Sequence, residues 1–237
     1  MSHIPKIIHQ TYKTEDIPDH WRTSQESWKA MHPDWEYRFW TDCQLRNFIF
    51  QEFPAFLPVY DSYSYHIQRV DAARYFILYR YGGLYADLDI ICLRPFDQIL
   101  NDRAIIPKTE PLGYSNDLML APPGHPLFKS CIENLSKNKR KYENRCYIPR
   151  HLMVLLTTGP LFITQRYNAL KETDSVYILP YSLYNNETGE PLVRHIKGDS
   201  WHKIDSQIFG WIADHTLLVF SLLILILLTL MIGVSRL

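Results

Sequence analysis

YRYGGLYADLDIICLRPF, residues 79–96, decides the fold, because a glycine pair leads through a short apolar run to two aspartates one residue apart. Asp87 and Asp89 stand at positions i and i+2, so in a regular strand both side chains would point to one face. The surrounding residues are apolar, which indicates a strand buried among its neighbours. A buried carboxylate requires a compensating partner, and a divalent cation with oxygen ligands is one such partner.

The alternative for this D-x-D pair is a plain turn or a structural ion pair, since any two acidic residues can fall at this spacing. The preceding segment RVDAARYFILYRYGGLY (69–85) favours the cation, because it reads as a helix that the glycine pair ends. Asp71 and Arg74 share one face of this helix at i and i+3, close enough to pair with each other or to bind one ligand. A helix, a glycine break and a strand ending in D-x-D therefore form one unit.

Composition excludes some classes of function. Lys plus Arg and Asp plus Glu are balanced at 25 each, so no overall basic field indicates a nucleic-acid partner. Residues 1–210 are enough for one domain with a full core. The four cysteines lack C-x-x-C spacing and are interpreted as free thiols, with a Cys131–Cys146 disulfide as the alternative.

Hydrophobic patterning predicts alternating strands and helices, which indicates a layered α/β domain. The predicted strands are 4–11, 35–40, 84–93, 104–107, 118–122 and 176–180, and the predicted helices are 19–31, 41–52, 60–81 and 125–140, followed by apolar segments at 152–160 and 161–171. Asp19 and either Thr41 or Asp42 are the expected caps of the first two helices.

The tail is uniformly apolar. Residues 216–234, TLLVFSLLILILLTLMIGV, carry no charge and would span roughly 28 Å as a helix, close to the hydrocarbon thickness of a bilayer. A buried core helix is the alternative, but the sequence favours a single membrane-spanning helix. The opening MSHIPKIIHQ has no apolar run of the kind found in a secretory signal. We therefore expect a tail-anchored membrane protein of the endomembrane or Golgi type, with its orientation left open.

The run from Asp71 to Asp89 resembles the DXD-containing sugar-binding region of retaining glycosyltransferases. The family includes fungal alpha-mannosyltransferases and inositol phosphoceramide mannosyltransferases (glycosyltransferase family 32-like) and is distantly similar to clostridial glucosylating toxins. IPKIIHQTYK (4–13), SNDLMLAPPGHPLF (115–128), TTGP (157–160) and DSWH (199–202) follow in the family's order. The resemblance implies a GT-A type nucleotide-sugar-binding fold, a Rossmann-like mixed sheet flanked by helices, with the D-x-D at a strand's carboxyl end.

The resemblance also implies a metal site for Mn²⁺ or Mg²⁺, ions that oxygen-rich sites suit. Asp89 would be the direct ligand, and Asp87 would contact the ribose or sugar hydroxyls and reach the ion through water. The loop 195–205 would complete the shell, and Trp201 would donate its indole N–H to a phosphate. The candidates for the remaining ligand are Ser200, Asp199, His195 and His202, although a histidine in such a loop is often simply exposed.

The resemblance also implies contacts with the nucleotide sugar: Arg74 would bind the diphosphate or sugar hydroxyls, and Asp71 would accept hydrogen bonds from sugar hydroxyls. The alternative is a mutual salt bridge on the helix surface. Asn116 and Asp117 would contact the transferred sugar, or alternatively form a plain turn. The residues expected beside the nucleotide are His9, Gln10, Thr11 and Tyr12, with Tyr12 where the family most often has a tryptophan.

Three functions follow. The first is a membrane-anchored, metal-dependent retaining glycosyltransferase that moves a hexose, mannose from GDP-mannose, to an inositol phosphoceramide-type lipid or a glycan. The second is the same chemistry with a UDP-sugar and a protein acceptor. The third is a non-catalytic, membrane-tethered carbohydrate-binding protein, which the intact motif residues Asp71, Arg74, Asp87, Asp89 and Trp201 disfavour.

Overall fold

The computed structural model describes residues 3–110, 113–143, 145, 147–185 and 189–196. Their strands form a six-stranded mixed sheet in the order β2-β1-β3-β6-β5-β7 and a two-stranded sheet, β4-β8. The strands are β1 Ile7–Tyr12, β2 Glu36–Thr41, β3 Gly83–Ala86, β4 Ile90–Cys92, β5 Ala104–Pro107, β6 Leu118–Ala121, β7 Val176–Leu179 and β8 Val193–His195. Strands β1, β2 and β3 are parallel to one another, whereas β6 runs antiparallel to both β3 and β5.

Helices cover both faces of the large sheet. They are α1 Asp19–Met31, α2 Asp42–Glu52, α3 Leu57–Asp61, α4 His66–Tyr81, α5 Pro126–Tyr142, α6 Arg150–Thr157, α7 Pro160–Asn168 and α8 Tyr181–Tyr184. One apolar cluster joins α2, α4, α5 and α7 to one face, and a second joins α1 to the other face. The predicted layered α/β architecture is therefore confirmed.

Most predicted elements are confirmed, including α1 and α2. Thr41 caps α2 as predicted: its hydroxyl accepts from the Gln44 amide N–H, and the Gln44 side chain accepts from the Thr41 N–H. Asp19 is the first residue of α1 rather than its cap, which is Pro18. Cys43, Cys92 and Cys131 are free thiols, and Cys146, the other member of the alternative disulfide, lies outside the described residues.

The single helix predicted over 60–81 is wrong. The structure divides it into α3 and α4, because Tyr65 adopts an extended backbone and its N–H donates to the Gln68 side chain at 3.0 Å. This local bond starts a new helix where apolar spacing alone predicted continuity.

The D-x-D pair follows the carboxyl end of a strand, as predicted, but it lies in a turn and does not have regular strand geometry. Strand β3 ends at Ala86, and the Ile90 N–H donates to the Asp87 carbonyl at 3.2 Å, so residues 87–90 form a tight turn between β3 and β4. The turn alternative was correct for the backbone. The two side chains therefore owe their arrangement to the turn and its neighbours rather than to strand alternation.

Gly83 fixes the start of β3. Its φ is +90°, and a Cβ at this position would lie 2.5 Å from the Ile7 carbonyl oxygen. Only glycine combines this backbone conformation with so close an approach of β1. The glycine pair thus ends α4 and also seats β3 against β1.

No helix in the described part of the chain is long and apolar enough to cross a membrane. The span predicted for residues 216–234 lies outside the described residues.

His9 provides a test of the core. Burial lowers its pKa from 6.5 to about 3, and its ring bonds the Gly82 carbonyl and the Trp40 indole N–H. Between pH 6.5 and about 3, His9 is protonated in the unfolded chain and neutral in the folded protein. The contribution of this group to stability is therefore complete above pH 6.5 and is lost as the pH falls.

We expect His9→Gln to reduce the slope of the unfolding free energy against pH in this window by up to about 1.4 kcal/mol per pH unit. Urea melts at several pH values measure that slope. His66→Gln is the control, because His66 is exposed and pairs with Asp42 at the surface. Equal slopes for wild type and His9→Gln would show that His9 is charged in the folded protein.

Candidate active site at the D-x-D turn

The site is built around the guanidinium of Arg74, which is 2% exposed. Nη2 lies 3.0 Å from Asp71 Oδ1 and 3.2 Å from Asp87 Oδ1, and Nη1 donates to Asp87 Oδ2 at 3.2 Å. Nη1 also donates to the Asn116 carbonyl at 2.7 Å. Arg74 therefore links α4, the D-x-D turn and the residues before β6. Burial opposes its charge, but Asp87, Tyr85 and Asp71 hold its pKa above the ordinary value.

Asp71 is buried beside Arg74. It accepts from the Asn116 amide at 3.1 Å and from the Thr158 hydroxyl at 3.0 Å. Burial raises the pKa of Asp71, although Arg74, Thr158 and Asn116 each favour the charged form. The predicted Asp71–Arg74 pair thus exists, but inside the protein rather than on a helix surface.

Asn116 is 3% exposed and holds Asp71 in place. Its amide nitrogen is within hydrogen-bonding distance of Asp71 Oδ1, of the Tyr75 hydroxyl at 3.2 Å and of the Thr158 carbonyl at 3.4 Å. These protein acceptors occupy its two N–H groups, so the amide nitrogen has no donor left for a ligand.

Asp117 accepts hydrogen bonds on both carboxylate oxygens. Oδ1 accepts from the Ser115 hydroxyl at 2.5 Å, and Oδ2 accepts from the Tyr184 hydroxyl at 2.6 Å. His195 Nε2 lies 3.2 Å from Oδ2. Burial disfavours both charges, but the attraction between the two side chains outweighs it. His195 keeps the pKa of Asp117 below its ordinary range, and Asp117 raises the pKa of His195.

The two D-x-D carboxylates differ in the number of hydrogen bonds that they accept. Asp87, 27% exposed, accepts from the Tyr85 hydroxyl at 2.7 Å in addition to Arg74. Asp89 Oδ1 is buried and accepts no hydrogen bond among the described residues. Burial raises the pKa of Asp87 to about 7, with Asp89 and Asp117 adding to the rise, and burial and Asp117 raise the pKa of Asp89.

These observations fit a divalent cation. Four carboxylates, of Asp71, Asp87, Asp89 and Asp117, face one guanidinium and one imidazole, so negative charge is in excess. The unbonded Asp89 oxygen is an anionic oxygen donor of the kind that Mn²⁺ and Mg²⁺ prefer.

Within the described ranges no three His, Cys, Asp or Glu side chains form a group that could hold a metal ion. The candidate ligands Ser200 and His202, with Asp199, and the phosphate-binding candidate Trp201 lie outside the described residues.

The first strand contributes unequally to the site. Gln10 Nε2 donates to the Asp87 carbonyl at 3.4 Å, and Thr11 bonds the Tyr85 hydroxyl at 2.9 Å. Tyr12 packs with a small cluster that includes Trp21 and Leu88, the middle residue of the D-x-D. His9 lies at the other end of β3, against Gly82, with both ring nitrogens engaged by the protein.

Four residues of the site were missed by sequence reasoning: Tyr85, Ser115, Thr158 and Tyr184. Tyr85 sits two residues before Asp87, and Ser115 and Thr158 lie in the motifs SNDLMLA and TTGP, so proximity to motif residues was an available signal. Tyr184 reaches Asp117 from α8, across a sequence separation that no local pattern reveals.

Comparisons with known proteins show which family the sequence around the D-x-D motif resembles. Residues 18–106 match the family described as glycosyltransferase sugar-binding region containing DXD motif. The chain is 43% identical over 218 residues to inositol phosphoceramide mannosyltransferase 1 of Schizosaccharomyces pombe, and these cover 90% of the chain and 66% of that protein. It is 40% identical over 219 residues to mannosyl phosphorylinositol ceramide synthase SUR1 of Saccharomyces cerevisiae, covering 90% of the chain and 56% of that protein.

The fold has a counterpart among solved structures. The UDP-bound glycosyltransferase domain from the YGT toxin superposes with a TM-score of 0.56 at 7% identity, over 75% of this chain and 80% of that one. This likeness is one of fold alone, and it confirms the GT-A-like architecture that the sequence predicted.

The charge balance of the site predicts how metal affects stability. We expect Mn²⁺ to raise the thermal midpoint of the wild type, because a ligand that binds only the folded state stabilises it. Asp89→Asn should abolish that rise and should melt no lower than wild type without metal, since it removes a repelling charge at constant volume.

Differential scanning fluorimetry with and without Mn²⁺ measures both effects. Asp16→Asn is the matched control, because Asp16 is an exposed aspartate whose nearest cation is the Arg22 guanidinium, 3.6 Å away. An undiminished Mn²⁺ shift in Asp89→Asn would exclude Asp89 as a ligand.

Proposed function

The chain belongs to the family of glycosyltransferases whose sugar-binding region contains the DXD motif, and from this membership we propose that it is a mannosyltransferase. The donor would be GDP-mannose, and the acceptor an inositol phosphoceramide-type lipid or its glycan. The names of the two yeast relatives support this choice of sugar and acceptor. The chain spans 66% and 56% of their lengths, so the activity of those whole proteins comes to this chain as a proposal.

One observation carries the proposal: among the described residues nothing bonds the buried Oδ1 of Asp89, which lies in a cluster with excess negative charge. A structural ion-pair network would neutralise its members, whereas this cluster leaves one anionic ligand unused. Such an arrangement supports binding of a cation together with a substrate that bears phosphates.

A divalent cation, when bound there, would supply Lewis-acid stabilisation of the charge that grows on the departing nucleoside diphosphate. The residues that would hold it are Asp89 and Asp87, with the third contribution from Ser200, His195 or His202. Side chains of the described residues would bind and orient the donor. We propose that Asp71 accepts hydrogen bonds from the sugar hydroxyls. The Asn116 and Thr158 side chains hold its carboxylate in one orientation.

We infer that Arg74 positions carboxylates rather than binding the diphosphate directly. Its Nη atoms bond Asp71, Asp87 and the Asn116 carbonyl, which engages their N–H groups within the protein. Its charge favours the ionised forms of Asp71 and Asp87 against the effect of burial, and its hydrogen bonds fix their orientation, which preorganises them for donor binding. Tyr12, beside Leu88 of the D-x-D, is the proposed stacking partner of the base, and Gln10, Thr11 and Ser200 with Trp201 complete the proposed donor site.

A UDP-sugar donor with a protein acceptor is the second candidate, and the fold shared with a UDP-bound toxin domain supports its inclusion in the test. The two candidates differ in the base and sugar that the site accepts. Competition among nucleotide sugars therefore separates them directly.

We expect the purified chain with Mn²⁺ to hydrolyse radiolabelled GDP-mannose faster than UDP-glucose, UDP-galactose or UDP-N-acetylglucosamine, and to transfer mannose to inositol phosphoceramide in mixed micelles. Asp71→Asn should lower transfer by about a hundredfold or more, on the scale of losing one preorganised polar contact, while leaving GDP binding within severalfold. Asp61→Asn, a surface aspartate paired with Arg46, is the control.

Preference for a UDP-sugar would replace the first candidate by the second. Turnover of no donor above background, with the fold intact, would favour a non-catalytic carbohydrate-binding protein. Equal loss of GDP binding and transfer in Asp71→Asn would assign Asp71 to folding or to the diphosphate.

We further propose that residues 216–234 anchor the protein in an endomembrane. The segment contains about a dozen Leu, Ile, Val and Phe residues and no charge, and each favours insertion by roughly 0.3–0.6 kcal/mol near the centre of a span. The protein should therefore stay in the membrane pellet after alkaline carbonate extraction. Release into the supernatant would show that the segment does not span the bilayer.

A further inference from the structure

A basic surface at the end of α5 has no role in the site. Lys137, Arg140 and Lys141 lie on the last turns of α5 at spacings of three and four residues, so they share one face. All three are exposed, and none pairs with a carboxylate in the part of the chain that the structure describes. Lys139 differs, because it is half-buried and pairs with Glu143.

The charge there departs from that of the whole chain. Residues 129–150 contain seven Lys or Arg and two Glu, although the protein is neutral overall. Cations at a helix C-terminus interact favourably with the helix dipole, which accounts for one or two of them. The dipole does not require basic residues to continue beyond the helix to Arg145 and Arg150.

Aromatic side chains accompany the charges. Tyr147 is 70% exposed, and its hydroxyl accepts from Arg145 Nη1 at 2.7 Å. The Arg150 guanidinium lies 4.9 Å from the centre of the Tyr65 ring. An exposed tyrosine among cations suits an interface that is apolar on one side and wet on the other.

Topology places this surface at the edge that carries the site. Helix α4 precedes β3 through the tight glycine turn, so its first half lies beside the D-x-D turn, where Arg74 meets Asp87. Helix α5 runs back along α4, from the Gly124 N–H bonded to the Tyr79 carbonyl to Glu143 bonded to Ser64. The C-terminal end of α5 therefore reaches the same edge as Asp71.

We propose that Lys137, Arg140, Lys141, Arg145, Arg150 and Tyr147 form a membrane-binding surface that contacts anionic phospholipid headgroups. The site then faces the bilayer in which a lipid acceptor would lie. Each Lys or Arg near an anionic surface contributes about fivefold in binding, and the effect is screened by salt. A nucleic-acid partner is disfavoured, because the basic residues cover one helix end and the chain has no net positive charge.

The test uses the full chain reconstituted in vesicles of phosphatidylcholine alone or of phosphatidylcholine and phosphatidylserine. An amine-reactive reagent labels accessible lysines, and mass spectrometry reports each site. Phosphatidylserine should protect Lys137 and Lys141 severalfold at low salt, and high salt should restore labelling. Lys29 and Lys171, exposed residues at the opposite edge of the sheet, should label equally in both vesicles and serve as internal controls.

Paired variants test the charges. We expect Lys137→Gln/Arg140→Gln/Lys141→Gln to lower the ratio of association with anionic over neutral vesicles by about tenfold or more. Lys29→Gln/Arg103→Gln/Lys171→Gln removes the same charge from the opposite edge and should leave this ratio unchanged. Any binding by residues 216–234 is common to both variants and cancels in the ratio.

Equal labelling of Lys137 and Lys141 in the two vesicles would overturn the proposal, as would equal ratios for the two triple variants. Protection by RNA fragments but not by phosphatidylserine would assign the surface to nucleic acid and overturn it too. None of these outcomes depends on turnover of a sugar nucleotide, so failure here is distinct from failure of the proposed mannosyltransferase activity.

Discussion

The arrangement of the site depends on one buried cation. Arg74 is almost inaccessible to water, and Asp71 and Asp87, which lie against its guanidinium, compensate for the burial of its charge. Removing either carboxylate leaves a buried charge with half its compensation, at a cost of several kcal/mol. Helix α4, the turn after β3 and the residues before β6 are consequently held in one register by electrostatics as well as by packing.

The same constraint leaves the charges of the cluster unbalanced. Arg74 pairs with Asp71 and Asp87, and His195 pairs with Asp117, whereas Asp89 Oδ1 accepts no hydrogen bond from the described residues. Burial, together with repulsion among the aspartates, raises the pKa of Asp87 and Asp89, so the folded chain holds these charges at an energetic cost. A cation that binds there relieves the repulsion, and part of this energetic cost is then recovered in its affinity.

Much of the fold could be predicted from sequence, because it rests on local signals. Apolar spacing located α1 and α2, the Thr41 cap marked the start of α2, and short β-branched runs located β5 and β7. The errors arose where a tertiary contact or a single side chain outweighed periodicity, as at Tyr65 and after Ala86. The buried environment of Arg74 and the contacts of Tyr184 and His195 with Asp117 depend on distant segments meeting, and nothing in the local pattern encodes them.

The small β4–β8 sheet has a consequence for how the protein is made. The Ile196 N–H donates to the Asp89 carbonyl at 2.7 Å, which ties the D-x-D turn to a segment about a hundred residues later. During synthesis the six strands other than β4 and β8 can already pair while the D-x-D turn still lacks this neighbour. The D-x-D turn therefore gains this neighbour only after β8 has left the ribosome, and a nascent chain with a completed large sheet still exposes the backbone of β4. Such an intermediate offers an unpaired strand edge to chaperones until the polypeptide is long enough to cover it.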